Sequence, residues 1–323
     1  MSKPDASRWN CGSDTEAILD QRLFEKINKL KRERNAVILA HNYQPGEIQD
    51  LADFSGDSLD LSKQAAATDA DVIVFCGVYF MAETAAILSP KKTVLLPDRR
   101  AGCPLADMIT SAELQQLKQK HPGAIVVCYV NSPAEVKAES DYCCTSANAV
   151  EVVNSLPAGV PVIFVPDQHL GRFVAGKTGR ELILWPGYCP THALIIEDDI
   201  RAAKSNYPDA VVMAHPECNE PVKAMADEIL STGQMLKFVA RSTAKQFIVA
   251  TEIGIIHALE KQNPQAEFIA ASERAVCPNM KKITLDKIVT ALEQMEYKVT
   301  VPNEIRVKAK KAIDRMVETV PAR

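Results

Sequence analysis

The sequence predicts an α/β protein: three pseudo-threefold-related αβα sandwich domains with parallel sheets around one central active site. Three observations carry that expectation. Short apolar runs alternate with helical patterns along the chain, which implies parallel βαβ units with right-handed crossovers. A layout that begins AVILAHNYQ at Ala36 returns twice, so that His41, Tyr129 and His215 each end or follow an apolar run. Each is followed 17 positions later by a hydroxyl, at Ser58, Ser146 and Thr232, and each copy closes on a thiol, at Cys103, Cys189 and Cys277. Internal repeats of this kind take precedence over any reading of single elements.

Taken in order, a helix is expected over 15–34, where Leu19, Leu23, Ile27 and Leu30 share one face. The first repeat (36–105) places strands at 37–40, 53–55, 72–76 and 93–96, with helices at 47–51, 58–67 and 79–88. The second (106–192) opens with a helix over 106–120 and places strands at 125–130, 141–145, 162–165 and 182–185. The third (193–282) opens with a helix over 197–206 and places strands at 211–214, 228–230, 247–251 and 267–270. Residues 1–35 form an N-terminal segment and helix, the first fourteen expected to fray. The amphipathic helices expected at 283–295 and 303–317 are assigned to packing back on the first repeat.

Composition narrows the function. A chain of 323 residues, 47% hydrophobic and 24% charged, can bury a sizeable core. Its formal charge of −4, with no basic cluster interleaved with aromatics, argues against a nucleic-acid partner. The opening MSKPDASRWNCGSD carries no apolar run of a signal peptide, and the richest apolar stretch, 72–88, is broken by Glu83. A cytoplasmic protein with small-molecule partners and no membrane association is expected. Nine cysteines without a CxxC pair favour metal or catalytic use over a disulfide framework.

In parallel α/β sheets ligands bind beyond the carboxyl ends of the strands, where every recurrent residue falls. Ser58, Ser146 and Thr232 are expected to cap helices, whose free N–H groups attract anions. Taken singly, a serine at a helix start is usually only a cap, a strand-end cysteine a small hydrophobe, and a lone histidine structural. Threefold recurrence of His, Tyr, Asn and Glu is not explained by packing. Three thiols from three domains suit a [4Fe-4S] cluster with one iron free to act as a Lewis acid; zinc held by three cysteines and water is the competing metal. Cys76 and Cys128 read as core, and Cys11, Cys143, Cys144 and Cys218 are given no role.

At this point the residues resemble the quinolinate synthase family, iron–sulfur enzymes of NAD biosynthesis. AHNYQ at 40–44, GDSL at 56–59, AGCPLAD at 101–107, YVN at 129–131, HPEC at 215–218, ATEIG at 250–254 and CPNM at 277–280 stand in the family's order. The likeness runs from about Val37 to the C-terminus. It implies condensation of iminoaspartate with dihydroxyacetone phosphate to quinolinate, releasing phosphate and two waters, and a functional link to an iminoaspartate-producing enzyme. It implies Cys103, Cys189 and Cys277 as ligands of a [4Fe-4S] cluster with one open iron, and Tyr43, Glu217 and His215 as catalytic. His41, Ser58, Tyr129, Asn131, Ser146, His215, Glu217, Ser231 and Thr232 are then the substrate-binding residues. Some relatives carry a CxxCxxC run that ends in the third ligand; here positions 271 and 274 are Ala and Arg, so a redox switch built from it is not expected. Leu230 stands where relatives often have Gly before the Ser-Thr pair. Two other classes fit the open iron. An aconitase-type hydro-lyase would turn over a hydroxy acid without a phosphorylated partner, and a non-enzymatic iron or oxygen sensor would need a partner surface that the charge balance does not supply.

Overall fold

The computed structural model describes residues 14–319. The expectations for the N-terminal segment before Asp14, including Cys11, and for the last four residues lie outside the described residues.

Three four-stranded parallel sheets follow one another along the chain. The first holds β1 (Ala36–His41), β2 (Phe54–Gly56), β3 (Val72–Cys76) and β4 (Thr93–Leu95). The second holds β5 (Ile125–Tyr129), β6 (Tyr142–Cys144), β7 (Val162–Val165) and β8 (Ile183–Leu184), and the third β9 (Val211–Ala214), β10 (Glu228–Ile229), β11 (Gln246–Ala250) and β12 (Glu267–Ala270). All three have the order β2-β1-β3-β4 or its equivalent. Val, Ile and Phe dominate the inner strands, and β3 and β7 are buried at every position, as strands covered by helices on both faces must be.

The helices run α1 (Asp14–Arg34), α2 (Gly46–Leu51), α3 (Ser58–Ala67), α4 (Tyr79–Leu88), α5 (Ser111–Lys120), α6 (Ala134–Ala138), α7 (Ala149–Asn154) and α8 (Gln168–Thr178). They continue with α9 (Pro190–Ala193), α10 (Glu197–Asn206), α11 (Glu220–Ala224), α12 (Thr232–Arg241), α13 (Ile255–Gln262), α14 (Leu285–Gln294) and α15 (Asn303–Glu318). The helix expected over 106–120 is divided. Ala106–Met108 is a single 3₁₀ turn, and α5 restarts behind Thr110, whose hydroxyl accepts from Glu113 N while the Glu113 carboxylate accepts from Thr110 N. That reciprocal cap stabilises a new helix start more than the preceding turn stabilises continuation.

The repeat is finer than its polar markers. Twelve positions after His41, Tyr129 and His215 stand Asp53, Asp141 and Asp227. Each carboxylate accepts a 2.8 Å bond from the backbone N–H of a first-strand residue, Ile38, Val126 or Val212. Each aspartate N–H returns a bond to the carbonyl of that same residue. The same two-bond clasp thus pins the start of the second strand to the first in all three units. Helix α14 packs on α1 and β3, whereas α15 lies against α6 and β6 of the second unit and α4 and α3 of the first. The chain therefore closes across both units, with Asn148 Nδ2 donating to Met316 O at 2.9 Å.

Removing the clasp acceptor leaves the N–H of a buried inner-strand residue, Val126 or Val212, without its partner, so Asp141→Ala and Asp227→Ala are each expected to lower stability by about 1–3 kcal/mol. Urea unfolding of both variants checks this, and a midpoint equal to wild type would contradict it.

Candidate active site

In this strand order the chain leaves the first strand to one side and returns to the other. A crevice opens at the carboxyl ends of the first and third strands. His41 and Tyr129 are the last residues of β1 and β5, and His215 directly follows β9. The three crevices meet in one cavity lined by residues of every unit. Cys103, Cys189 and Cys277 all line it, as do His41, Tyr43, Ser58, Tyr129, Asn131, Ser146, His215, Glu217 and Thr232. Of the residues expected from the sequence, Ser231 alone is not on its wall.

The expected caps are corrected. The cap of α3 is Asp57, accepting from Leu59 N at 3.0 Å and Asp60 N at 2.9 Å, and Ser58 is the first helical residue. The cap of α12 is Ser231, which accepts from Gln234 N, with Thr232 inside the helix. Ser146 precedes α7 by three residues, because Asn148 Oδ1 first accepts from Thr145 N at 2.8 Å and holds a turn there. The effect is to free all three hydroxyls from capping. At Gly233 an added Cβ would stand 2.6 Å from Asp57 Oδ2, so glycine lets the starts of α3 and α12 approach each other.

The two histidines are set alike. His41 Nδ1 accepts from Tyr43 N at 3.2 Å, and His215 Nδ1 accepts from Glu217 N at 3.3 Å. Burial lowers both imidazoles to a pKa of about 3, against a partial upward pull from Glu217. Each ring is therefore neutral at physiological pH with its proton on Nε2, a donor that does not bring a charge.

Sequence reasoning missed the groups that connect the site. Tyr43 OH lies 2.6 Å from Thr251 Oγ1, which lies 2.8 Å from His192 Nε2. His192 Nδ1 stands 2.8 Å from Glu217 Oε2, and Tyr129 OH donates to Glu217 Oε1 at 2.5 Å. A run of polar contacts thus joins Tyr43 to Tyr129 through three units, its His192–Glu217 link being a close approach of charge rather than an aligned hydrogen bond. His192 also stacks on His215, with ring centroids 4.7 Å apart. Burial would raise the Glu217 carboxyl, but His192, His215 and the Tyr129 hydroxyl hold it well below the usual carboxylate range. Burial and the Glu217 charge together raise both tyrosines well above their ordinary value, so both phenols keep their protons. Glu252, fully buried, accepts from Cys277 N at 3.0 Å and pairs with Lys281 Nζ at 2.9 Å, fixing the third thiol's loop. Signals for these residues did exist: Thr251 and Glu252 follow β11, the other strand of the crevice, and His192 stands one helical turn beyond Cys189.

The thiols are free and partly exposed to the cavity. Burial pushes Cys103 up to about 12, Cys189 well above its ordinary value, and Cys277 upward. Cys103 also interacts with Cys277, and Cys189 with Cys103. Among the described residues Cys189, His192 and Glu217 form a potential metal-binding group, with ligand atoms within 4.8 Å of one another. One buried acceptor on the cavity wall, Asn131 Oδ1, has no protein partner.

Fold and site define the class: an α/β protein of threefold design whose three parallel sheets turn their carboxyl ends onto one thiol-walled, histidine-rich cavity. Residues 25–318 match the family model described as quinolinate synthetase A protein. The chain is 61% identical over 298 residues to the quinolinate synthase of Dehalococcoides mccartyi strain CBDB1, covering 92% of this chain and 98% of that protein. It is 56% identical over 293 residues to quinolinate synthase of Geobacter metallireducens (91% and 96% covered). It is 54% identical over 295 residues to quinolinate synthase 1 of Methanosarcina acetivorans (91% and 97% covered). The chain belongs to the quinolinate synthase family. No described helix is long and apolar enough to cross a membrane.

The tautomer assignment is directly measurable. In the metal-free protein the ¹⁵N shifts of His41 and His215 should report neutral Nε2–H rings throughout pH 5–8, and protonation of either ring within that range would contradict the hydrogen-bond pattern. The sign of the linkage follows. Unfolded histidines titrate near 6.5, so each ring kept neutral costs stability as pH falls from about 6.5 toward about 3.

Proposed function

We propose that the protein condenses iminoaspartate with dihydroxyacetone phosphate to quinolinate, releasing phosphate and two waters. The observation that carries the reading is that the three thiols in register and both ends of the Tyr43–Thr251–His192–Glu217 chain open on the same cavity.

The donor set fits a [4Fe-4S] cluster held by Cys103, Cys189 and Cys277. Three thiols come from three separate loops, while the tight group that could hold a single ion includes His192 and Glu217, which already serve Thr251 and Tyr129. When bound, the cluster's open iron supplies a Lewis acid that helps hydroxide depart. The thiols are protonated without metal, so loading must release protons and weaken as pH falls.

The protein's own groups do the rest. Ser58 and Thr232, at the starts of α3 and α12, offer hydroxyls that bind phosphate or carboxylate oxygens; Ser146 adds a third hydroxyl. His41 and His215 donate Nε2–H bonds to substrate oxygens, and Asn131 Oδ1 accepts from a substrate hydroxyl or amine. Tyr43 holds its proton on the phenol oxygen and gives or takes it at the reacting carbon and oxygen atoms. Thr251 and His192 link that oxygen to Glu217, so a proton moved at one end of the chain is restored from the other. Ring closure with two dehydrations needs such repeated transfers, and burial of the chain keeps bulk water from short-circuiting them. Eight unpaired cysteines among the described residues suit a reducing compartment, which supports a cytoplasmic location.

The test is anaerobic: reconstitute with iron and sulfide, then assay quinolinate from the two substrates. Product that depends on both supports the assignment, and turnover of a hydroxy acid without the phosphorylated partner would overturn it. Tyr43→Phe should retain wild-type iron and lose about 10²- to 10⁴-fold in kcat, the usual worth of one acid–base group; full activity would remove Tyr43 from the reaction.

A further inference from the structure

Eight positions after His41, Tyr129 and His215 stand Gln49, Lys137 and Lys223, all buried and none on the cavity wall. Each reaches back to the loop that follows its own first strand. Gln49 Nε2 donates to Asn42 O at 3.2 Å and Gln44 O at 2.8 Å, the two carbonyls that flank Tyr43. Lys137 Nζ donates to Ser132 O at 2.5 Å, beside Asn131, and Lys223 Nζ to Pro216 O at 3.3 Å, beside Glu217.

Each also reaches into a neighbouring unit, at one equivalent place. Gln49 Nε2 donates to Gly254 O at 2.9 Å, Lys223 Nζ to His169 O at 2.7 Å, and Lys137 Nζ lies 5.4 Å over the Phe80 ring. Gly254, His169 and Phe80 stand four positions after the last residues of β11, β7 and β3. The first unit thus grips the third, the second grips the first, and the third grips the second. These contacts form a closed cycle beneath the site.

Burying an ammonium is costly, and Lys137 and Lys223 are as inaccessible as core leucines. Packing alone would be served as well by Leu or Met. What the polar heads add is direction: each fixes the height of one loop relative to the third-strand end of the next unit.

We propose that Gln49, Lys137 and Lys223 are positioning residues, an interdomain clasp that aims Tyr43, Asn131 and Glu217 at one point. The proposal rests on the reading of Tyr43 and Glu217 as acid–base groups. A displacement of about 1 Å at a reacting group costs about a hundredfold in rate, so loss of a clasp should appear in kcat.

The experiment compares Gln49→Met, Lys223→Met and Lys223→Gln with wild type as reconstituted enzymes. Iron and sulfide content, far-UV circular dichroism, kcat and the KM for dihydroxyacetone phosphate are measured for each. Gln49→Met is nearly isosteric and introduces no buried charge. It should keep wild-type iron and helix content while kcat falls ten- to a hundredfold, with KM changed less than threefold. Lys223→Gln keeps a donor, as the first unit does, and should recover most of what Lys223→Met loses. Unchanged kcat in Gln49→Met, loss of iron in step with turnover, or Lys223→Gln no better than Lys223→Met would each overturn the proposal. A wild type that makes no quinolinate sinks the reaction assignment and the clasp's catalytic role with it, whereas an active wild type beside an equally active Gln49→Met sinks the clasp alone.

Discussion

A parallel sheet with its first strand inside opens a crevice where the first and third strands end, and it does so whatever its side chains are. Three such sheets share one strand order here, so three crevices of the same shape are available to face one another. Everything chemical in the molecule depends on that topological fact. The residues after β1, β5 and β9 reach the common centre, joined by those after β3 and β11, the hydroxyls after the second strands and the thiols after the fourth. The aspartate clasps at Asp53, Asp141 and Asp227 hold the strand starts at the opposite end, where no chemistry occurs.

One buried anion organises the electrostatics of the centre. Glu217 receives the Tyr129 hydroxyl and faces His192, and its charge in turn helps keep both tyrosine phenols protonated. The same burial that would raise its pKa makes each of these contacts strong, since little water competes for them. Neutral histidines on either side then donate without adding charge. The site is thereby rich in protons that can move and poor in fixed charge, apart from that carboxylate, the buried Asp57 at the start of α3, and Glu252, which Lys281 neutralises.

Much of the fold was legible because strand runs are short, apolar and bounded by polar residues. The strands at 72–76, 162–165, 211–214 and 267–270 and the helices at 58–67, 79–88 and 197–206 stand where periodicity places them. Repeat register also pointed to the three thiols and to His41, Tyr129 and His215, all of which line the cavity. It placed the caps one residue late at α3 and α12, because a carboxylate at Asp57 and the hydroxyl of Ser231 outcompete their neighbours for the free N–H groups. Thr251 and His192 were invisible to it. Their partners are 208 and 59 residues away in sequence, and hydrogen bonds across units leave no periodic trace.

The central claim is that three thiols from three repeats hold one metal body together. Cys103→Ala, Cys189→Ala and Cys277→Ala, reconstituted anaerobically beside wild type, test it through iron and acid-labile sulfide counted per chain. The account predicts about four of each in wild type, as a [4Fe-4S] cluster requires, and a comparable loss in all three variants with the fold retained. Full iron in any one variant, or a single zinc without sulfide in wild type, would contradict it.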